Sequence, residues 1–128
     1  MQKEVRVNEE DLKFIKMQIL YPVVLDVLEH DIKLIKEMDT LKFPDLYSMK
    51  LKSIMNKYTS DAYEVRSYLR HRGIKILEEK RTSERLVVSY MFRNYTYSFE
   101  MLWTWVRSEI ATTLCRYLEI DITDEKLR

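Results

Sequence analysis

The chain contains a single glycine, Gly73, and the hydrophobic period changes from helical to alternating across it. One residue therefore separates a long helix from the only segments that read as strands. The run Arg70, His71, Arg72 meets the negative end of a helix dipole, and glycine supplies the left-handed backbone that ends a helix. With only two prolines besides, the chain has few positions for tight turns, which suits long helices and disfavours a sandwich or barrel.

The helical side of that boundary predicts two or three elements. Asn8 reads as an N-cap, and Glu9, Glu10 and Asp11 interact favourably with the positive end of a helix. Leu12, Ile15 and Ile19 recur at helical spacing up to Pro22, which lacks an N–H and predicts a kink or break near Tyr21. Apolar residues from Val23 to Met38 then cover more than half of the circumference, as in a core helix. Pro44 and Asp45 suit the first turn of the next helix. Its seam of Leu51, Met55, Tyr58, Ala62, Val65 and Leu69 alternates steps of four and three, as in an antiparallel bundle.

Beyond Gly73, Ile74 and Ile76 alternate with Lys75, and Leu86, Val88, Tyr90 and Phe92 alternate with Val87, Ser89 and Met91. A hairpin is expected, with Thr82 and Ser83 in its turn and a second strand that extends through Tyr95 and Tyr97. Ser98 reads as the N-cap of a last helix whose face comprises Phe99, Trp103, Val106, Ile110, Leu114 and Tyr117. A lone hairpin is marginal in water, so its apolar face is expected to lie on the helices. The fold class is α+β, predominantly α, in one domain of residues 1–128 with frayed tails at 1–7 and 121–128.

The residues that carry chemistry are few. Asp26 and His30 have metal-ligand spacing, yet the helical wheel places them with Lys33 on the polar side, where water competes and Lys33 repels a cation. His71 is accounted for by the helix end, and adjacent Cys115 and Arg116 diverge on a helix. There is no glycine-rich phosphate loop, paired-cysteine zinc pattern or serine-centred elbow. The sequence therefore assigns no catalytic, cofactor-binding or metal-ligating residue. The longest apolar run, Ile19 to Leu25, is far short of the roughly 20 residues that span a bilayer. With a single cysteine and no recognisable leader pattern, a cytoplasmic location is expected.

Two surfaces remain as readings of function. Met101 and Trp105 point away from the predicted apolar face of the last helix, with Tyr95 and Tyr97 nearby in sequence. Aromatic residues and methionine are enriched at interfaces. These four residues predict a non-enzymatic module that binds a protein partner or a second copy of itself. The alternative is a nucleic-acid-binding regulator: residues 44–97 hold 11 Lys/Arg against 6 Asp/Glu, while both flanking segments are mildly acidic. Lys52, Arg66, Arg70, Arg72 and Lys75 would then contact phosphates.

The order of long helix, the run Tyr68 to Ile76 (YLRHRGIKI), charged turn, hairpin and aromatic-rich helix resembles small uncharacterised proteins of Bacillus-type bacteria and their phages. The resemblance covers the central and C-terminal parts. It implies an intracellular bacterial setting and supplies no catalytic or binding residue.

Overall fold

A computed structural model describes residues 6–121. Helix α1 (Glu9–Glu37) and helix α2 (Pro44–Arg72), 29 residues each, form an antiparallel hairpin. Strands β1 (Ile74–Arg81), β2 (Arg85–Phe92) and β3 (Tyr95–Leu102) follow, and helix α3 (Trp103–Leu118) completes the chain. The architecture is α+β and mostly α, as the change of period across Gly73 implies. Of the two tails expected to fray, residues 1–5 and 122–128 lie outside the described residues, whereas Val7 packs against the core.

Asn8 and Asp11 cap α1 reciprocally: the Asn8 side chain accepts from the Asp11 N–H at 2.7 Å, and Asp11 accepts from the Asn8 N–H at 3.0 Å. Two donors that the first turn leaves unpaired are thereby satisfied. The break expected near Tyr21 does not occur, and α1 runs through Pro22 as one helix. Pro22 lies on the exposed side, while Ile15, Ile19 and Leu20 before it and Val24 and Leu28 after it are buried. Packing on both sides of the proline outweighs one lost backbone bond, whose carbonyl can turn to water.

The predicted α2 seam holds in its C-terminal half, where Tyr58, Ala62, Val65 and Leu69 are buried; Leu51 and Met55 are partly covered and Ile54 takes the inner position beside them. Gly73 ends α2 at φ 74° and ψ 28°, with its N–H donating to the carbonyls of Arg70 and Leu69. The left-handed cap inferred from the sequence is present.

The expected hairpin is part of a three-stranded antiparallel sheet in the order β1-β2-β3. The long second strand is in fact two strands, joined at Arg93 and Asn94, both left-handed with φ of 53° and 67°. Two consecutive left-handed residues make the two-residue turn whose twist matches paired strands. Alternation therefore continues through Tyr95, Tyr97, Phe99 and Met101, opposite Phe92, Tyr90, Val88 and Leu86. Ser98 is in mid-strand rather than at a helix start, and α3 begins four residues beyond the expected cap, after Leu102, with no side-chain cap. Other bonds fix that start: the Trp103 N–H donates to the Glu84 carbonyl at 3.0 Å, and its indole N–H to the Thr82 carbonyl at 2.7 Å. The turn between β1 and β2, at residues 82–84 as predicted, thus anchors α3.

Two clusters form the core. One joins Ile15, Ile19, Val65 and Leu69 to the inner face of the sheet at Ile74, Leu86, Val88, Tyr90, Phe92 and Met101. The other joins Val24, Leu28, Ile54 and Tyr58 to Leu114, Tyr117 and Leu118 of α3, with Ile110 touching both clusters.

A Cβ added at Gly73 meets nothing within 4 Å, so Gly73→Ala is expected to cost only the left-handed backbone strain, about 1–2 kcal/mol, read as a lower denaturant midpoint at unchanged m-value. Replacing Arg93-Asn94 by Asn-Gly relieves the same strain in the β2–β3 turn and should raise the unfolding free energy by about 0.4–1 kcal/mol, read as a higher midpoint.

Candidate interaction surfaces

The junction of α1, α2 and the sheet is held by a polar group at the base of the core. Asp11 is fully buried, with 0% exposure. Besides capping α1, its carboxylate accepts hydrogen bonds from Arg72 Nε at 2.9 Å, Arg72 Nη2 at 2.6 Å and the Tyr68 hydroxyl at 2.8 Å. The Arg72 guanidinium also sits 5.3 Å from the centre of the Phe92 ring. Burial pushes the Asp11 carboxyl up, but the bonds from Arg72, the Asn8 backbone and Tyr68 prevail and hold it below the usual aspartate value. Burial, with the bond to Asp11, pushes the Tyr68 hydroxyl up to about 12.

This arrangement corrects the phosphate-contact set. Arg72 is committed to Asp11 and does not offer its guanidinium to a partner. The sequence pattern concealed this, because an acidic first turn and a basic last turn look like ordinary dipole pairing; nothing local shows that residues 61 apart meet. Of the remaining four cations, Arg66, Arg70 and Lys75 line one shallow groove. Lys52 lies apart, beside Lys36, whose ammonium is the chief reason that Lys52 is held below the ordinary lysine value.

The aromatic set is also divided. Met101 is 4% exposed and belongs to the core, so its expected outward direction is wrong. That direction assumed a helix; in β3 the side chain faces inward, opposite Leu86. Tyr95, Tyr97 and Trp105 are 69%, 37% and 36% exposed. Tyr97 stacks on Tyr90 at 5.4 Å, and Lys16 Nζ lies 5.1 Å from the Trp105 ring centre and 5.8 Å from that of Phe99. Trp105 also borders a groove of about 1390 Å³ between the three helices. The groove has an apolar floor that includes Leu20, Ile54 and Val65, and Tyr117 donates a hydrogen bond to Asp61 within it. Burial, and then that bond, raise the Tyr117 hydroxyl above its usual value.

Cys115 is buried and lines this groove, whereas His71 is exposed at the end of α2 and does not line it. His30 is exposed and pairs with its neighbour Asp31. Among the described residues no three His, Cys, Asp or Glu side chains are grouped so as to hold a metal ion.

A further surface lies at the opposite end of the helix pair from the sheet. Leu34 and Met38 at the end of α1, Phe43 in the connector, and Leu46, Tyr47 and Met49 at the start of α2 are between 47% and 62% exposed. Sequence reasoning passed over these residues. For Leu34 and Met38 the signal was the apolar excess of residues 23–38, which the sequence alone reads as a core helix.

A family comparison matches residues 6–122 to the YhjD protein family. The chain belongs to the YhjD family. The match spans every described helix and strand, so the α+β arrangement above is that of a YhjD domain in this chain. No curated protein and no solved structure matches the chain. In this YhjD chain no helix among the described residues is long and apolar enough to cross a membrane.

Because the folded Asp11 carboxyl titrates below its unfolded value, near 3.9, the stability it contributes is present above that pH and is lost as the pH falls through the folded value. Asp11→Asn is expected to cost about 3 kcal/mol at pH 7, since it removes one partner of a buried pair. The gap from wild type should narrow as unfolding is repeated towards pH 2; a gap independent of pH would contradict the assignment.

Proposed function

We propose that this protein is a non-enzymatic interaction module that self-associates in the cytoplasm of a bacterial cell through the uncovered end of the α1–α2 hairpin. The observation that supports this reading is the set Leu34, Met38, Phe43, Leu46, Tyr47 and Met49, large apolar side chains left about half exposed or more at one end of the molecule. Large exposed apolar side chains gathered at one end of a molecule are characteristic of contact sites. Charge favours a second copy as the occupant. Residues 29–52 carry five lysines and five Asp or Glu, so two such ends can meet without net repulsion. Lys36 and Lys52, crowded together on one copy, would gain a carboxylate from the other. Tyr95, Tyr97 and Trp105 form a second, smaller aromatic surface at the sheet and α3, available to a different protein partner.

The test is mass in solution, by light scattering across a concentration series. Wild type is expected to associate, and Phe43→Asp with Leu46→Asp to remain monomeric with unchanged circular dichroism and melting temperature. Trp105→Asp should leave the mass unchanged. Dissociation by Trp105→Asp alone would move the interface to the aromatic surface, and a wild type that stays monomeric at high concentration would refute self-association.

A further inference from the structure

We propose that the groove between the end of α2, the start of β1 and the middle of α1 binds a phosphomonoester of nucleotide size. Its charged lining is one-sided: Arg66, Arg70 and Lys75 border it and no carboxylate does. None of the three forms an ion pair among the described residues. Pairing with the helix dipole accounts for Arg70 alone, because Arg66 precedes the last turn of α2 and Lys75 follows the helix. The negative end of α2 does oppose an anion here, but it carries only about half a charge against three whole ones. Arginine forks are well shaped for phosphate oxygens, and Arg66 and Arg70, four apart, share one helix face.

Gln18 adds a second, independent sign. It lines the same groove, and its side-chain Oε1 is buried without a hydrogen-bond partner. A buried orphan costs about 1–3 kcal/mol. With the amide swung towards the groove, Nε2 would donate to a phosphate oxygen there and the orphaned oxygen would leave its buried position. Size and wall chemistry narrow the ligand further. The groove is open and has a volume of about 510 Å³, room for a small ligand, and its remaining walls are Leu69, Ile74 and Ile76 beside the bare backbone of Gly73. The space left by one phosphate is therefore bounded by apolar groups, which suits a planar or apolar body such as a nucleobase.

The experiment is a titration of the full chain, followed by amide NMR shifts, with inorganic phosphate, adenosine 5′-monophosphate, adenosine and a 12-nucleotide single strand. Adenosine monophosphate is expected to shift the amides of Gln18, Arg66, Arg70 and residues 73–76, to bind more tightly than phosphate, and to exceed adenosine clearly. Arg66→Gln and Arg70→Gln should each weaken it by about tenfold, the size of one charge-assisted bond. Gln18→Leu should weaken it as well while leaving the melting temperature unchanged or higher, the opposite of what a purely structural role for Gln18 predicts. Shifts scattered over other lysine-bearing surfaces, equal binding by the arginine variants, or adenosine as good as its monophosphate would overturn the proposal. So would a strand that binds far more tightly than the mononucleotide and shifts amides well outside the groove, since the arginines would then belong to a nucleic-acid track.

Discussion

The buried carboxylate of Asp11 ties together elements that the chain keeps far apart. It closes the first turn of α1 through Asn8, receives Arg72 from the last turn of α2, and takes the Tyr68 hydroxyl from one turn earlier. Through Arg72 it also reaches the sheet, because the guanidinium lies over Phe92. An ion pair in such a place is costly to desolvate, and packed hydrocarbon can serve stability as well. What hydrocarbon lacks is direction: a forked guanidinium on a carboxylate fixes the helix register to within a fraction of a turn. The two-helix alignment, and with it the position of Gly73 and the strands that follow, is consistent with that fixed point.

From this anchor the rest of the fold follows in sequence order. Gly73 turns the chain out of α2 directly beside the ion pair, so β1 starts against the same core that Ile15 and Leu69 begin. The sheet then presents its apolar face to the helices, and the turn at residues 82–84 returns α3 to them by holding both nitrogens of Trp103.

Local chemistry was readable from the residues; partnership was not. The Asn8 cap, the Gly73 cap, the C-terminal half of the α2 seam and the first β-turn each depend on a few neighbouring side chains, and each stands where the sequence places it. The break at Pro22 was misjudged because a local penalty was weighed without the burial that spans it. The third strand is hidden in the sequence because Arg93-Asn94 is a weak turn signal beside Asn-Gly, and because Phe99 joins a helix face with Trp103 and Val106 as readily as an alternating strand, which leaves Met101 pointing outward. That one substitution of period reversed the direction of Met101. The role of Arg72 needed the tertiary meeting with Asp11, which no local pattern encodes. The uncovered hairpin end was hidden by the same logic, since an apolar face looks identical whether or not something covers it.

The unequal lengths of the helices have a consequence for how the molecule breathes. At 1.5 Å per residue, α1 and α2 each extend about 43 Å, whereas the 16 residues of α3 cover about 24 Å. The sheet braces one end and α3 the middle, which leaves the last turns of the hairpin as a bare pair of helices. Opening that end uncovers few buried side chains beyond Ile32 and Ser48, while opening the other breaks the ion pair and the core together. In the monomer, amide exchange should therefore be graded along a single helix, fast near Glu37 and Pro44 and slow near Ile15 and Leu69. The same α-helix would serve as a hinge at one end and a fixed post at the other.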